Sequence, residues 1–168
     1  MHALDAPLPP LADAPVDTDA LAALDARFAA MPPAAAMQIR AARLDADGLR
    51  LHAPLGANVN DKGCAFGGSL ASVLTLAAWG LVDARLRELG RPAEVYVADS
   101  HLKYLLPLYD DLQAHAWVAP GEDWDAFVRC LDERGKARLA LQADVRDGAG
   151  RPVATLAARF AALRPTRA

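Results

Sequence analysis

The residues best suited to chemistry lie in one stretch, Ala53-Pro54-Leu55-Gly56-Ala57-Asn58-Val59-Asn60-Asp61-Lys62-Gly63-Cys64-Ala65-Phe66-Gly67-Gly68-Ser69-Leu70. Its middle offers Asn58, Asn60 and Asp61. Its end offers two adjacent glycines that run into a long series of helix formers. The first N–H groups of a helix have no partners inside it, and glycine lets another group come close to them. Such a terminus favours negative charge, including the oxyanion formed when a carbonyl carbon is attacked. Gly67 and Gly68 are the residues that allow this approach. Asn58, Asn60 and Asp61, the one carboxylate of the stretch, are polar groups that could take part in chemistry. Turn structure is an equal use for all three, because Asn and Asp bond readily to nearby backbone. Gly67-Gly68 equally suits close helix–sheet packing.

Other residues form weaker constellations. Ser69, Ser72 and Thr75 fall on one stripe of the expected helix, continued by Trp79 and Asp83. Their hydroxyls could line a groove or bond back to carbonyls one turn earlier, and Ser69 suits a cap. Asp99 and His101 share one face of an apolar strand, with Ser100 and Tyr104 on the other. An Asp–His pair can orient a general base, or serve as a hydrogen-bonded structural cluster. Adjacent strand residues cannot all converge, which weighs against a Ser/His/Asp triad. Cys64 is read as a small loop residue and Cys130 as strand core. His2, His52 and His115 lack metal-ligand spacing, and no metal site is expected.

These residues need elements to hold them. Residues 1–17, with Pro7, Pro9, Pro10 and Pro15, read as a loose arm. Thr18 or Asp19 caps a short helix carrying Leu21, Leu24, Phe28 and Met31, which Pro32-Pro33 ends. This arm and helix make up residues 1–36, and the main domain runs over 37–168. Met37–Leu44 and Gly48–Pro54 read as strands joined by a tight turn. From Ser69 to about Leu89 the pattern predicts a long helix, stopped by Gly90-Arg91-Pro92 and apolar on nearly all sides through its first three turns. Such a helix must be wrapped. Five strand-like runs follow: Glu94–Leu106, Leu112–Ala119, Ala126–Glu133, Ala137–Arg146 and Val153–Leu163. Their short connections predict an antiparallel meander, curved around the helix in an α+β fold.

Composition narrows the class of function. At 168 residues the chain can bury one sizeable core. A net charge of −3 argues against a nucleic-acid partner, which demands a basic face. No uninterrupted apolar run approaches the ~20 residues of a membrane span, so no membrane partner is expected. Neither a secretory signal nor a disulfide framework is evident, which makes the cytoplasm the expected compartment.

The segment APLGANVNDKGCAFGGSL, the helix with Ala78-Trp79-Gly80-Leu81, and Val97-Ala98-Asp99-Ser100-His101 leading to Tyr104-Leu105-Leu106-Pro107 together resemble the thioesterase family of hot-dog domains that also occurs fused to GNAT acetyltransferases. The resemblance runs from about Met37 to Leu163. No acetyltransferase module is expected ahead of it. It implies a hot-dog fold and a homodimer or dimer of dimers joined edge to edge, with sites between subunits. The implied reaction is hydrolysis of an acyl thioester of coenzyme A or an acyl carrier protein, with no further cofactor. Many relatives carry His-Gly-Gly at the helix start; Phe66 here replaces that His and cannot hydrogen-bond. A helix carboxylate used in one subgroup falls at Thr75, and another subgroup uses a loop Asp, which falls to Asp61. The resemblance thus implies Asp61, Asn60 and Gly67 as catalytic, with Asn58, Phe66, Gly68, Ser72, Thr75, Asp99 and His101 around the substrate. The missing His and helix carboxylate leave two alternatives: a non-catalytic acyl-thioester binding domain, or a hot-dog dehydratase.

Overall fold

The computed structural model describes residues 18–165, so the Pro-rich arm lies outside the described residues. Two short helices come first, α1 (Thr18–Ala30) and α2 (Pro32–Ala36). Pro32-Pro33 does end α1, and it also starts α2, because proline fits the first turn of a helix. Strands β1 (Arg40–Asp45) and β2 (Gly48–Ala53) form a hairpin. Gly48 turns it at φ 126°, where a Cβ would meet the Ala116 carbonyl oxygen at 1.9 Å. A 3-10 turn (Leu55–Ala57) and a loop then lead to α3 (Gly67–Glu88). Strands β3 (Glu94–Tyr104) and β4 (Leu112–Val118), helix α4 (Trp124–Arg134), and strands β5 (Lys136–Arg146) and β6 (Pro152–Leu163) complete the chain.

All pairings are antiparallel, in the order β1-β2-β4-β5-β6-β3. This is a correction to the expected meander. After α3 the chain lays β3 at the far edge beside β6 and returns to the middle with β4. Helix α3 is about 33 Å long at 1.5 Å per residue, and it packs into the curved sheet through Leu70, Val73, Leu74, Ala77, Leu81 and Val82. By length and apolar composition alone α3 could cross a membrane, but most of it is buried in this core. The sheet wrapped on a long central helix is the hot-dog architecture.

The run Ala126–Glu133, expected as a strand, is helical, and Cys130 therefore lies on α4 rather than in a strand. Asp123 caps α4 by accepting the Ala126 N–H, and Gly135 closes it at φ 69°. Phe127 and Leu131 are one turn apart and bury the inner face. Their helical spacing and the two caps outweigh the strand propensity of Phe127-Val128. The first helix packs into the main core through Leu24 and Phe28, and Asp25 accepts the Ala41 N–H of β1 at 2.7 Å.

Candidate functional site

The loop before α3 is shaped by bonds from several directions. The Leu55 N–H donates to Asp111 Oδ1 at 2.8 Å, and His52 Nε2 lies 3.0 Å from Asp111 Oδ2. These bonds, the Leu55 N–H foremost, hold the Asp111 carboxyl below the usual carboxylate range. Asn58 is 2% exposed. Its Nδ2 donates to the Met37 and Pro54 carbonyls at 2.9 and 2.8 Å, and its backbone oxygen accepts the Phe66 N–H at 2.7 Å. That arrangement leaves Asn58 Oδ1 buried without a hydrogen-bond partner among the described residues. Asn60 folds the loop tip: its Oδ1 accepts the Lys62 N–H at 2.8 Å and its Nδ2 points to Cys64 Sγ at 3.2 Å. The turn-forming use of Asn60 is therefore present, and Cys64 is a small buried loop residue.

This loop presents the start of α3. Phe66 occupies the N-cap at φ −66° and ψ 132° with no side-chain cap. Ser69 sits two residues inside the helix rather than at the cap. Among the described residues no hydrogen bond takes up the N–H of Gly67, Gly68 or Ser69, whereas the Leu70 N–H reaches the Phe66 oxygen at 3.0 Å. Three unpaired donors at a positive helix end form a cradle for an oxyanion. The Phe66 ring stands beside it, 55% exposed. Tyr104, from β3, donates its hydroxyl to the Gly67 carbonyl oxygen at 3.2 Å. Its ring would lie 3.7 Å from a Cβ at Gly67, so Tyr104 forms one flank of the approach.

The remaining sequence candidates fall into different places. Ser72 and Thr75 face a groove, but their hydroxyls donate to the Gly68 and Ala71 carbonyls, both at 2.8 Å. Asp61 stands at the exposed loop tip, its carboxylate 79% exposed and 2.9 Å from Lys62 Nζ. Asp99 and His101 share a face, as alternation requires. That face is the solvent side of the sheet. Their β6 partners Arg159 and Ala157 are exposed, between the core residues Leu156, Ala158 and Phe160. Asp99 is ion-paired with Arg159 Nε at 2.7 Å, so within one protomer this pair is turned away from α3. Tyr104, on the opposite face of β3, is the strand residue that meets the helix start.

An apolar groove of about 510 Å³ runs along α3 against the α1–α2 corner, with Met31, Pro32 and Met37 on the far wall. Sequence reasoning placed Met31 and its neighbours outside the functional domain. Met31 recurs with Leu24 and Phe28 at helical spacing, but nothing in that pattern says which helix it will face. Among the described residues no group of three or more His, Cys, Asp or Glu side chains is placed to hold a metal ion.

Known proteins share this fold. The family model described as putative thioesterase (yiiD_Cterm) matches residues 22–164, a span that takes in most of α1. A protein of unknown function from Chlorobaculum tepidum TLS is 28% identical, with a TM-score of 0.84 over 89% of this chain and 98% of its own. A putative thioesterase from Shewanella oneidensis shares the fold at 24% identity and a TM-score of 0.77, over 86% of this chain and 98% of its own. A thioesterase from Haemophilus influenzae shares it at 14% identity and a TM-score of 0.67, over 86% and 90%.

Proposed function

From the premise that this chain belongs to the putative thioesterase (yiiD_Cterm) family, we propose that it hydrolyses an acyl thioester of coenzyme A or an acyl carrier protein to free acid and thiol. The observation that carries the proposal is the start of α3: unpaired N–H groups at Gly67, Gly68 and Ser69, opening beside an apolar groove. The thioester carbonyl oxygen sits against the N–H of Gly67. Water attacks the carbonyl carbon, and the oxyanion gains hydrogen bonds from a donor already in place. As the tetrahedral intermediate collapses, the C–S bond breaks and the thiolate leaves, to be protonated as thiol. Asp61 is the proposed acceptor of the water's proton, being the one carboxylate between Pro54 and Leu70. Asn58 Oδ1, buried and without a partner among the described residues, is an acceptor for a bound water behind the loop.

The working unit is proposed to be a homodimer formed through β3. That strand is an edge eleven residues long, with Tyr96, Val97 and Tyr104 about half exposed. A long apolar edge invites pairing, and a second copy closes it by symmetry. A stable monomer in light scattering at micromolar concentration counts against this assembly. The compartment is proposed to be the cytoplasm, where such thioesters are met.

Thiol release from a panel of acyl-CoAs tests the activity directly. The exposure of Asp61 and its pairing with Lys62 favour one second reading, a domain that binds acyl thioesters without cleaving them. Tight binding of the panel with no thiol release selects that reading.

A further inference from the structure

We infer that the groove beside α3 is a channel for an unsubstituted acyl chain of medium length, roughly eight to ten carbons. The inference rests on the proposed thioester site and names its substrate class. At about 510 Å³ the groove has the size of a small-molecule site. The α3 wall is Ala71, Ser72, Thr75 and Leu76, and the facing wall includes Met31 and Met37. The two hydroxyls on the α3 wall have spent their donors on helix carbonyls. What the channel offers is therefore methyl, methylene and thioether surface. Methionine adapts to irregular apolar contents, while a charged or hydroxylated chain would lose its hydration there without recompense.

The two ends of the groove set its direction and length. At one end Asn58 ties the Met37 carbonyl to the Phe66 N–H, so the Met37 end begins at the first turn of α3 beside the unpaired donors. At the other end Phe28 packs on Trp79 with ring centroids 6.3 Å apart, and the Arg27 guanidinium lies 4.7 Å from the Trp79 ring centroid. Leu76 is the last α3 residue on the groove wall, and Trp79, packed in this way, comes next along that side of the helix, so we place the floor at Leu76. Gly68 to Leu76 spans eight residues, about 12 Å of helix, the reach of an extended chain of roughly eight to ten carbons. With the carbonyl at Gly67, the tail of such a chain ends between Met31 and Leu76.

The test is kcat/KM of the full chain on acetyl-, butyryl-, hexanoyl-, octanoyl-, decanoyl-, myristoyl- and palmitoyl-CoA, repeated for Leu76→Trp and Met31→Trp. Expected is an optimum at octanoyl or decanoyl, at least about tenfold above acetyl and palmitoyl, because each methylene adds burial until the floor is met. Either variant should lower decanoyl turnover at least about tenfold more than butyryl turnover. Two variants guard against one failing to fold. Cleavage without chain preference, or an optimum that neither folded variant moves, overturns the channel and leaves the thioesterase reading standing. If no thioester is cleaved, that reading fails and calorimetry with non-hydrolysable S-decyl-CoA still decides the channel. Binding at least about tenfold tighter than S-ethyl-CoA, and weakened by Met31→Trp, upholds it; equal affinity overturns it.

Discussion

The two ends of α3 are built in opposite ways. At the C-terminal end every kind of polar group finds a partner. The Arg85, Leu86 and Arg87 carbonyls accept the N–H groups of Leu89, Arg91 and Gly90. Asp83, 2% exposed, is held by Arg27 Nη1 at 2.7 Å and Arg87 Nε at 3.0 Å, which fastens α1 to α3. Arg85 donates to the Asp45 carbonyl at 3.0 Å, and Trp79 Nε1 donates to the Val95 carbonyl at 3.0 Å. Gly80 lets Leu49 come so close that a Cβ would stand 2.8 Å from its Cδ2. The N-terminal end has none of this closure. Among the described residues its first three N–H groups are unpaired, its cap residue is an exposed Phe66, and Ser72 and Thr75 are half-buried along a groove. One helix thus has its polar groups closed off at one end and left open at the other.

Four measurements break or sharpen that contrast, the largest effect first. Gly67→Pro deletes a donor while respecting the fold, since proline suits the first helical position and Phe66 already has the extended backbone that must precede it. We expect kcat to fall by ~100–1000-fold, the usual effect of losing an oxyanion donor. The melting temperature should stay within about 2 °C of the parent. Turnover close to the parent's would remove Gly67 from the mechanism.

Asp61→Asn comes next. A positioned general base contributes ~100-fold or more, and Asn keeps the turn preferences of the loop. A loss smaller than about threefold, under ~1 kcal/mol of barrier, would take the base assignment away from Asp61. Attention would then pass to His101 with Asp99, provided a second subunit brings that face to the site.

Asp83→Asn acts at the other end. Breaking a buried ion pair costs about 3–5 kcal/mol, reduced here to roughly 2–3 because Arg27 and Arg87 remain partly hydrated. Thermal melting should drop by roughly 5–10 °C, while kcat of the folded protein changes less than about threefold. A large kcat loss at unchanged stability would mean that the two ends are coupled.

The smallest effect is one of pH. Burial first, then the charge of Arg50, lowers the His115 pKa from its usual value near 6.5, although its ring lies 2.9 Å from the Asp47 carbonyl oxygen. The unfolded chain therefore binds the extra proton first. Stability is fully present above pH ~6.5 and is lost as pH falls toward the lower folded pKa. Melting curves between pH 7.5 and about 5 should show this decline, and His115→Gln should flatten it. An unchanged slope in the variant would assign the acid sensitivity to other groups.

Much of this molecule was legible before its structure. The apolar-all-round pattern from Ser69 to Leu89 determined a core helix, because no other placement hides such a surface, and Gly67-Gly68 after a polar loop marked its open end. Alternation placed Asp99 and His101 on one face of their strand. The sequence could not say which face would be solvent, because β3 has apolar residues on both. Nor did local pattern decide α4, whose Phe127-Val128 suits either period until Asp123 and Gly135 are taken as caps. The order of strands was also out of reach: a short link between β3 and β4 permits adjacency but does not compel it, and β3 pairs with β6 at the edge instead. The groove was least legible of all. Met31 and Met37 acquire a role only when α1, fastened by Arg27 to Asp83 some 56 positions away, sets the α1–α2 corner against α3. Local spacing determines which residues form a helix and which of its faces is apolar. Where two such faces meet is set by contacts distant along the chain, and those exist only in the folded protein.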